Sequence, residues 1–305
     1  MGIPAMQTLD ISAFLKKHQL PEQYAQEVES WFLPIIQDIV KQQKVANKPI
    51  IVGINGTQGS GKSTLADLLV FFFQQQYQLN AIALSIDDFY LTYQQRQDLA
   101  KTIHPLMATR GVPGTHDVSL ANETLRQLIG NEGNVLIPRF NKSIDDRHPE
   151  SEWDEVIAPM DIIILEGWCL GAEAQEGSEL LSAVNDLEVN EDAQGVWRNY
   201  VNQQLLNVYP PLFQQVDRWI MLQAPSFECV FKWRLEQEHK LRDKLSKQGQ
   251  LTDNKVMDDV AVGRFIKFYQ RITECLLKTL PAKVDYLLTL DENRVIQQFS
   301  QPKSK

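Results

Sequence analysis

The chain is 305 residues long, with 39 acidic against 30 basic side chains and a formal net charge of −9. With 43% hydrophobic and 23% charged residues, it has the composition of a folded protein of one or two domains, which excludes a disordered or fibrous chain. The acid excess argues against a general nucleic-acid binder, because phosphate backbones are held by basic surface, but not against a small anionic ligand in a locally positive pocket.

The N-terminal residues lack the apolar core of a signal peptide, and the strongest apolar run, at 68–73, is too short to span a bilayer. No membrane partner is therefore expected. Cys169, Cys229 and Cys275 are scattered outside any CxxC pattern, so reduced thiols in a cytoplasmic protein are the expectation. Residues 21–43 place Tyr24, Val28, Trp31, Phe32, Ile35, Ile36 and Ile39 on one helical face, with Pro34 expected to kink or split the helix. Residues 1–48 thus read as a helical N-terminal extension. Short apolar runs then follow at 50–54, 81–86, 162–165, 219–222 and 286–288, of the kind a doubly covered parallel strand shows. Helical stretches at 62–76, 119–128, 195–208, 227–245 and 253–280 separate them. Such alternation predicts an α/β fold, a three-layer sandwich with a central parallel sheet over residues 49–305. Residues 173–195 are acidic and polar and read as an inserted loop.

Between the first strand and the helix at 62 stands Gly56-Thr57-Gln58-Gly59-Ser60-Gly61-Lys62-Ser63, followed by Thr64. This is G-x-x-x-x-G-K-[ST], the phosphate-binding P-loop. Glycines let the loop close round phosphates, backbone N–H groups and the helix N-terminus supply positive potential, and Lys62 reaches the β/γ-phosphates. Ser63 offers a hydroxyl to Mg²⁺. A nucleoside triphosphate, ATP, is the expected ligand.

What is done with the triphosphate depends on the next strands. The second ends in Ser85-Ile86-Asp87-Asp88-Phe89-Tyr90, placing carboxylates where α/β sheets bind ligands. Asp87 could take the proton of an acceptor hydroxyl or orient Mg²⁺ through water; an Asp capping a turn is the plainer reading. The third ends in Leu165-Glu166-Gly167, where an acid could hold Mg²⁺ or its water shell, or simply face solvent. No DExx sequence of a motor ATPase follows, and Asn141-Lys142-Ser143-Ile144 lacks the Asp of a guanine-reading NKxD. These features favour a small-molecule kinase.

The combination resembles the P-loop small-molecule kinases related to uridine kinase, phosphoribulokinase and pantothenate kinase. A closer resemblance is to the D-glycerate 3-kinase family and its bacterial kinase-like relatives. It is carried by SIDDFYLT (85–92), RGVPGTHD (110–117), IPRFNKSIDDR (137–147), ILEGWCLG (164–171), GVWRNYVNQQL (195–205) and FKWRLEQEHKLR (231–242). The resemblance implies transfer of the γ-phosphoryl of ATP to a hydroxyl of a small acid, D-glycerate being the expected acceptor, with Asp87 as the base. Pantothenate, a nucleoside or a sugar phosphate is the alternative acceptor, and a nucleotide-binding regulatory module without an acceptor is the reading of a different class. Segment 143–146, Ser-Ile-Asp-Asp, is short and acidic and departs from the family.

A carboxylate-bearing acceptor needs a cationic clamp, and Arg110, His116, Arg139, Lys142 and Arg147 are the candidates in these loops, with Asp88 and Tyr90 beside them. Each basic residue could equally be a solvated surface charge, and His116-Asp117 could open a helix as its cap. Residues 227–250 read as a lid helix. Arg234 and Arg242 are eight apart, only ~80° round a helix, and so could face one cleft and offset charge on the transferring group. A surface helix whose Glu and Lys pair locally accounts for the same pattern.

Overall fold

The computed structural model describes residues 10–130, 133–247 and 257–301. In chain order its strands are β1 (Ile50–Gly56), β2 (Ala81–Ser85), β3 (Gly133–Ile137), β4 (Phe140–Asn141), β5 (Asp146–Arg147), β6 (Asp154–Ala158), β7 (Ile162–Gly167), β8 (Arg218–Gln223), β9 (Tyr286–Leu290) and β10 (Ile296–Ser300). Every residue of β1 and β7 is buried, as continuous apolar strands covered on both faces must be. The principal sheet has the order β10-β9-β8-β1-β7-β2. All its pairings are parallel except that of β10 with β9.

That order fixes the site. From β1 the chain passes through the helix Lys62–Gln75 to the edge strand β2, returns as β7, then crosses to the other side of β1 as β8. Strand order thus reverses about β1, which opens a crevice at its carboxyl end. Between β2 and β7 an excursion carries the helix Val118–Gly130, an antiparallel pair β3–β6 and the tight ribbon β4–β5. Lys142 of the ribbon turn reaches Asp87 at the end of β2, with Nζ 2.7 Å from Oδ2.

The N-terminal segment packs on the same core as the sheet, with Ile35, Ile36 and Ile39 fully buried and the Tyr286 hydroxyl donating to Asp38 at 2.6 Å. Pro34 does not break it. Short helical turns lead into a wide π-turn at Val28–Phe32 and then the helix Leu33–Ala46. The wide turn makes room for a ring that cannot donate and would crowd the Ser30 carbonyl. Residues 173–195, expected as a loop, hold a 3₁₀ turn (Gly177–Leu180) and a helix (Asp186–Glu191). The reason is a buried ion pair: Arg271 grips Glu188 through two bonds of 2.7 and 2.6 Å.

The lid candidate is the helix Phe227–Lys247, and the last long helix is Asp259–Thr279. Residues 1–9 of the expected extension, 248–250 of the expected lid and 253–256 of the expected helix lie outside the described residues. Among the described residues no helix is long and apolar enough to cross a membrane.

Candidate active site

Glycine shapes the loop after β1. Gly59 and Gly61 sit at φ +80° and +93°, left-handed angles that L side chains rarely adopt. A Cβ on Gly59 would also come within 2.8 Å of Trp233. The following helix starts at Lys62, so its unpaired N–H groups face the loop. Thr57 Oγ1, Gln58 Oε1 and Ser60 Oγ are buried there without a hydrogen-bond partner. Arg294, in the turn between β9 and β10, braces the loop. It donates to the Gly59 carbonyl at 2.8 Å and to Glu236 at 2.6 Å.

Across from the loop, β7 delivers Glu166. Ser63 Oγ donates to its Oε1 at 3.0 Å, and Lys62 Nζ lies 3.7 Å from its Oε2. Glu166 is 6% exposed, and its Oε2 accepts no hydrogen bond. Mg²⁺ is usually held by one or two protein oxygens together with substrate phosphates and water. A serine hydroxyl beside a buried, under-satisfied carboxylate fits that ion.

Strand β2 ends in a 3₁₀ turn, Ile86–Phe89, which sends Asp87 and Asp88 to different partners. Asp87 accepts from the Tyr90 hydroxyl at 3.0 Å and from Lys142 Nζ at 2.7 Å. Burial alone would push its carboxyl up, but the Lys142 and Lys62 ammonium groups outweigh burial and hold it well below the usual carboxylate range. A cleft of ≈ 270 Å³ opens here, and Lys62, Ser63, Asp87, Tyr90, Arg110, Lys142 and Arg234 line it. Gln58 and Gly59 form its loop side. Arg110 pairs with Asp145 and lies over the Phe140 ring, 5.4 Å from its centroid.

Other expected residues stand outside this cleft and brace its walls. Asp88 accepts from Arg139 at 3.0 Å and from the Phe140 N–H at 3.2 Å, while Arg139 also grips Asp154 at 2.6 Å. Arg147 donates to the Tyr90 carbonyl at 2.8 Å, and Asp117 caps the next helix through the Leu120 N–H at 3.0 Å. His116 is buried and stacks on Tyr90 at 4.5 Å between ring centroids. Burial pushes its imidazole down to about 4. The Tyr209 hydroxyl accepts from the Gly114 N–H at 3.0 Å and sits 2.6 Å from His116 Nδ1. The other ring nitrogen of His116, Nε2, is buried without a hydrogen-bond partner. The two arginines of the lid candidate also part company. Arg234 faces the cleft, paired with Glu238. Arg242 instead donates to the Met257 carbonyl at 2.9 Å, because the start of the next long helix lies beside it.

Four residues complete the cleft without having been singled out: Trp168, Gln237, Phe265 and Tyr269. Trp168 follows Glu166-Gly167 directly and bonds the Gly111 carbonyl at 3.1 Å, so its place in the motif was the available signal. Phe265 and Tyr269 are four apart on a helix and read as core stripe; no local pattern distinguishes them. Arg96, fully buried beneath Asp145, was equally hidden. A second cavity of ≈ 390 Å³ lies on the other side of the loop, between Ser60, Gly61 and Thr64 and the N-terminal residues Tyr24 and Glu27.

The family described as Phosphoribulokinase / Uridine kinase matches residues 51–192. Over 274 residues the chain is 35% identical to the uncharacterized kinase mug58 of Schizosaccharomyces pombe, covering 85% of this chain and 94% of that one. It is 30% identical over 259 residues to a chloroplastic D-glycerate 3-kinase of Arabidopsis thaliana, covering 81% of this chain and 53% of that protein. A solved D-glycerate 3-kinase from Cryptococcus neoformans superposes with a TM-score of 0.71 at 24% identity, over 88% of this chain and 99% of that chain, which establishes a shared fold.

Proposed function

The chain belongs to the phosphoribulokinase/uridine kinase family of P-loop kinases, and from there we propose that it transfers the γ-phosphoryl group of ATP to a hydroxyl of a small hydroxy acid, converting D-glycerate to 3-phosphoglycerate. One observation carries the reading: Asp87 and Arg110 open onto the same cleft as Lys62 and Ser63. A hydroxyl acceptor and a carboxylate clamp thereby stand within reach of the phosphate loop. The relative named D-glycerate 3-kinase supports the choice of acid.

In the proposed reaction the acceptor hydroxyl oxygen bonds to the γ-phosphorus while the bond from phosphorus to the β–γ bridging oxygen breaks, releasing ADP. The hydroxyl proton passes to Asp87. Because such transition states are loose, Asp87 chiefly orients the hydroxyl and takes the proton late, a task open even to a weakly basic carboxylate. Lys62 and Arg234 offset charge on the transferring group. Bound Mg²⁺, held by Ser63 and Glu166, would neutralise charge on the outer phosphates. Arg110 and Lys142 receive the acceptor's carboxylate, and the cavity beside Thr64 takes the nucleoside. The helix Phe227–Lys247 shields the reacting groups from water through Arg234 and Gln237.

The test is ADP release from ATP by the full chain with and without D-glycerate. Stimulation of at least about tenfold is expected, and its absence discards this acceptor. Asp87→Asn should lower turnover by about 10²–10⁴-fold while ATP binding persists; turnover near the parent's rejects the role of Asp87.

A further inference from the structure

Arg110 is only half engaged. Its Nη1 pairs with the Asp145 carboxylate, whereas its Nε and Nη2 make no hydrogen bond among the described residues. A guanidinium edge with two free donors on a cleft wall suits one carboxylate held through parallel bonds. Asp145 itself is rigidly placed. It sits at φ +59° in the turn between β4 and β5. Its carboxylate is also gripped from behind by Arg96, 3.1 Å away and 0% exposed. The Asp145 main-chain carbonyl binds that same guanidinium.

The charges at this end of the cleft can be read directly. Arg110, Lys142 and Arg96 face the carboxylates Asp87 and Asp145, which leaves a single positive charge. Nearby, Lys62 stands against Glu166 and Arg147 against Asp117, while Arg139 is shared between Asp88 and the more exposed Asp154. Without Asp145 the excess would be two charges, enough for a doubly ionised phosphate ester.

We infer that Asp145 is a specificity-determining residue: by pairing with Arg110 it limits the cleft to hydroxy acids bearing one negative charge and turns away doubly charged phosphate esters of similar size. The inference rests on the acceptor reading above. Every added negative charge on the ligand meets the Asp145 carboxylate once more. At ~6 Å and an effective dielectric of ~40 that repulsion is about tenfold in affinity.

The experiment compares D-glycerate with sn-glycerol 3-phosphate as acceptors for the full chain and for Asp145→Asn, by steady-state kinetics and by calorimetric Kd with ADP bound. The Asn side chain keeps an oxygen for Arg96, and the Asp145 carbonyl bond is untouched. The expected result is that selectivity for glycerol 3-phosphate over D-glycerate rises about tenfold in the variant, in kcat/KM and in Kd. An unchanged ratio overturns the inference, as does failure of both ligands to bind. If the parent binds but does not phosphorylate D-glycerate, the acceptor reading falls, and the ratio of Kd values still decides the role of Asp145. Should Asp145→Asn fail to fold, Arg110→Gln tests the same charge balance. Deleting the cation should shift preference from D-glycerate towards neutral glycerol by about tenfold, and no shift there also overturns it.

Discussion

At Asp87 two opposed effects meet: burial disfavours the charged carboxylate, and the ammonium groups of Lys142 and Lys62 favour it. The cations win, so the anion persists on acidification. Its contribution to stability is fully present above the unfolded value near ~3.9 and is lost only as pH falls through the lower folded value. Lys142, 2.7 Å away, is thus a restraint on Asp87 as well as a proposed donor for the acceptor. Lys142→Met should let burial prevail and move the acid limb of the kcat/KM–pH profile upward by about one unit or more. A limb that stays in place would mean Lys62 alone keeps Asp87 ionised.

Among the elements, the helix Phe227–Lys247 separates two arginines that its periodicity had set together. Arg234 reaches the cleft beside the Phe265 ring, with its guanidinium 5.6 Å from the centroid, while Arg242 is turned towards Met257. Arg234→Gln should therefore lower kcat by about 10–100-fold, and Arg242→Gln by less than about threefold. Equal losses in steady-state kinetics would contradict this division. The same contrast explains what could be read from the sequence. Strands β1, β2, β7, β8 and β9 were legible because they are largely apolar runs between helices. Strand β10 was not, because Gln297 and Gln298 are exposed on an edge strand, and neither were β3 and β6, which are short and partly polar. The phosphate loop was legible because its chemistry lies in consecutive residues. Arg139, Arg147 and His116 sit in the expected loops, yet their side chains are fixed by Asp88, Tyr90 and Tyr209, partners far off in sequence. Phe265 and Tyr269 were hidden because a cleft wall and a core stripe have the same periodicity.

Over the whole molecule, one core joins the N-terminal helices to the sheet, and buried ion pairs fasten the acidic segment 173–195: Glu188 to Arg271 and Asp192 to Arg198. Stability should depend on pH through His116. Burial sets its folded value at about 4, against ~6.5 in the unfolded chain, so folding is favoured above that unfolded value and loses support as pH falls from it towards 4. By pH 5 the loss is roughly 2 kcal/mol. His116→Gln, able to keep a bond to Tyr209, should remove about that much of the difference between urea-unfolding free energies at pH 7 and pH 5. An undiminished difference would place the sensitivity elsewhere. The global charge of −9 has less bearing, since the cations that matter are held singly in the cleft.

The bond from Arg294 to the Gly59 carbonyl joins residues 235 apart in the chain. Its consequence is one of order in time. During synthesis Gly59 leaves the ribosome long before Arg294, so the phosphate loop acquires this brace only after Arg294 has followed it out.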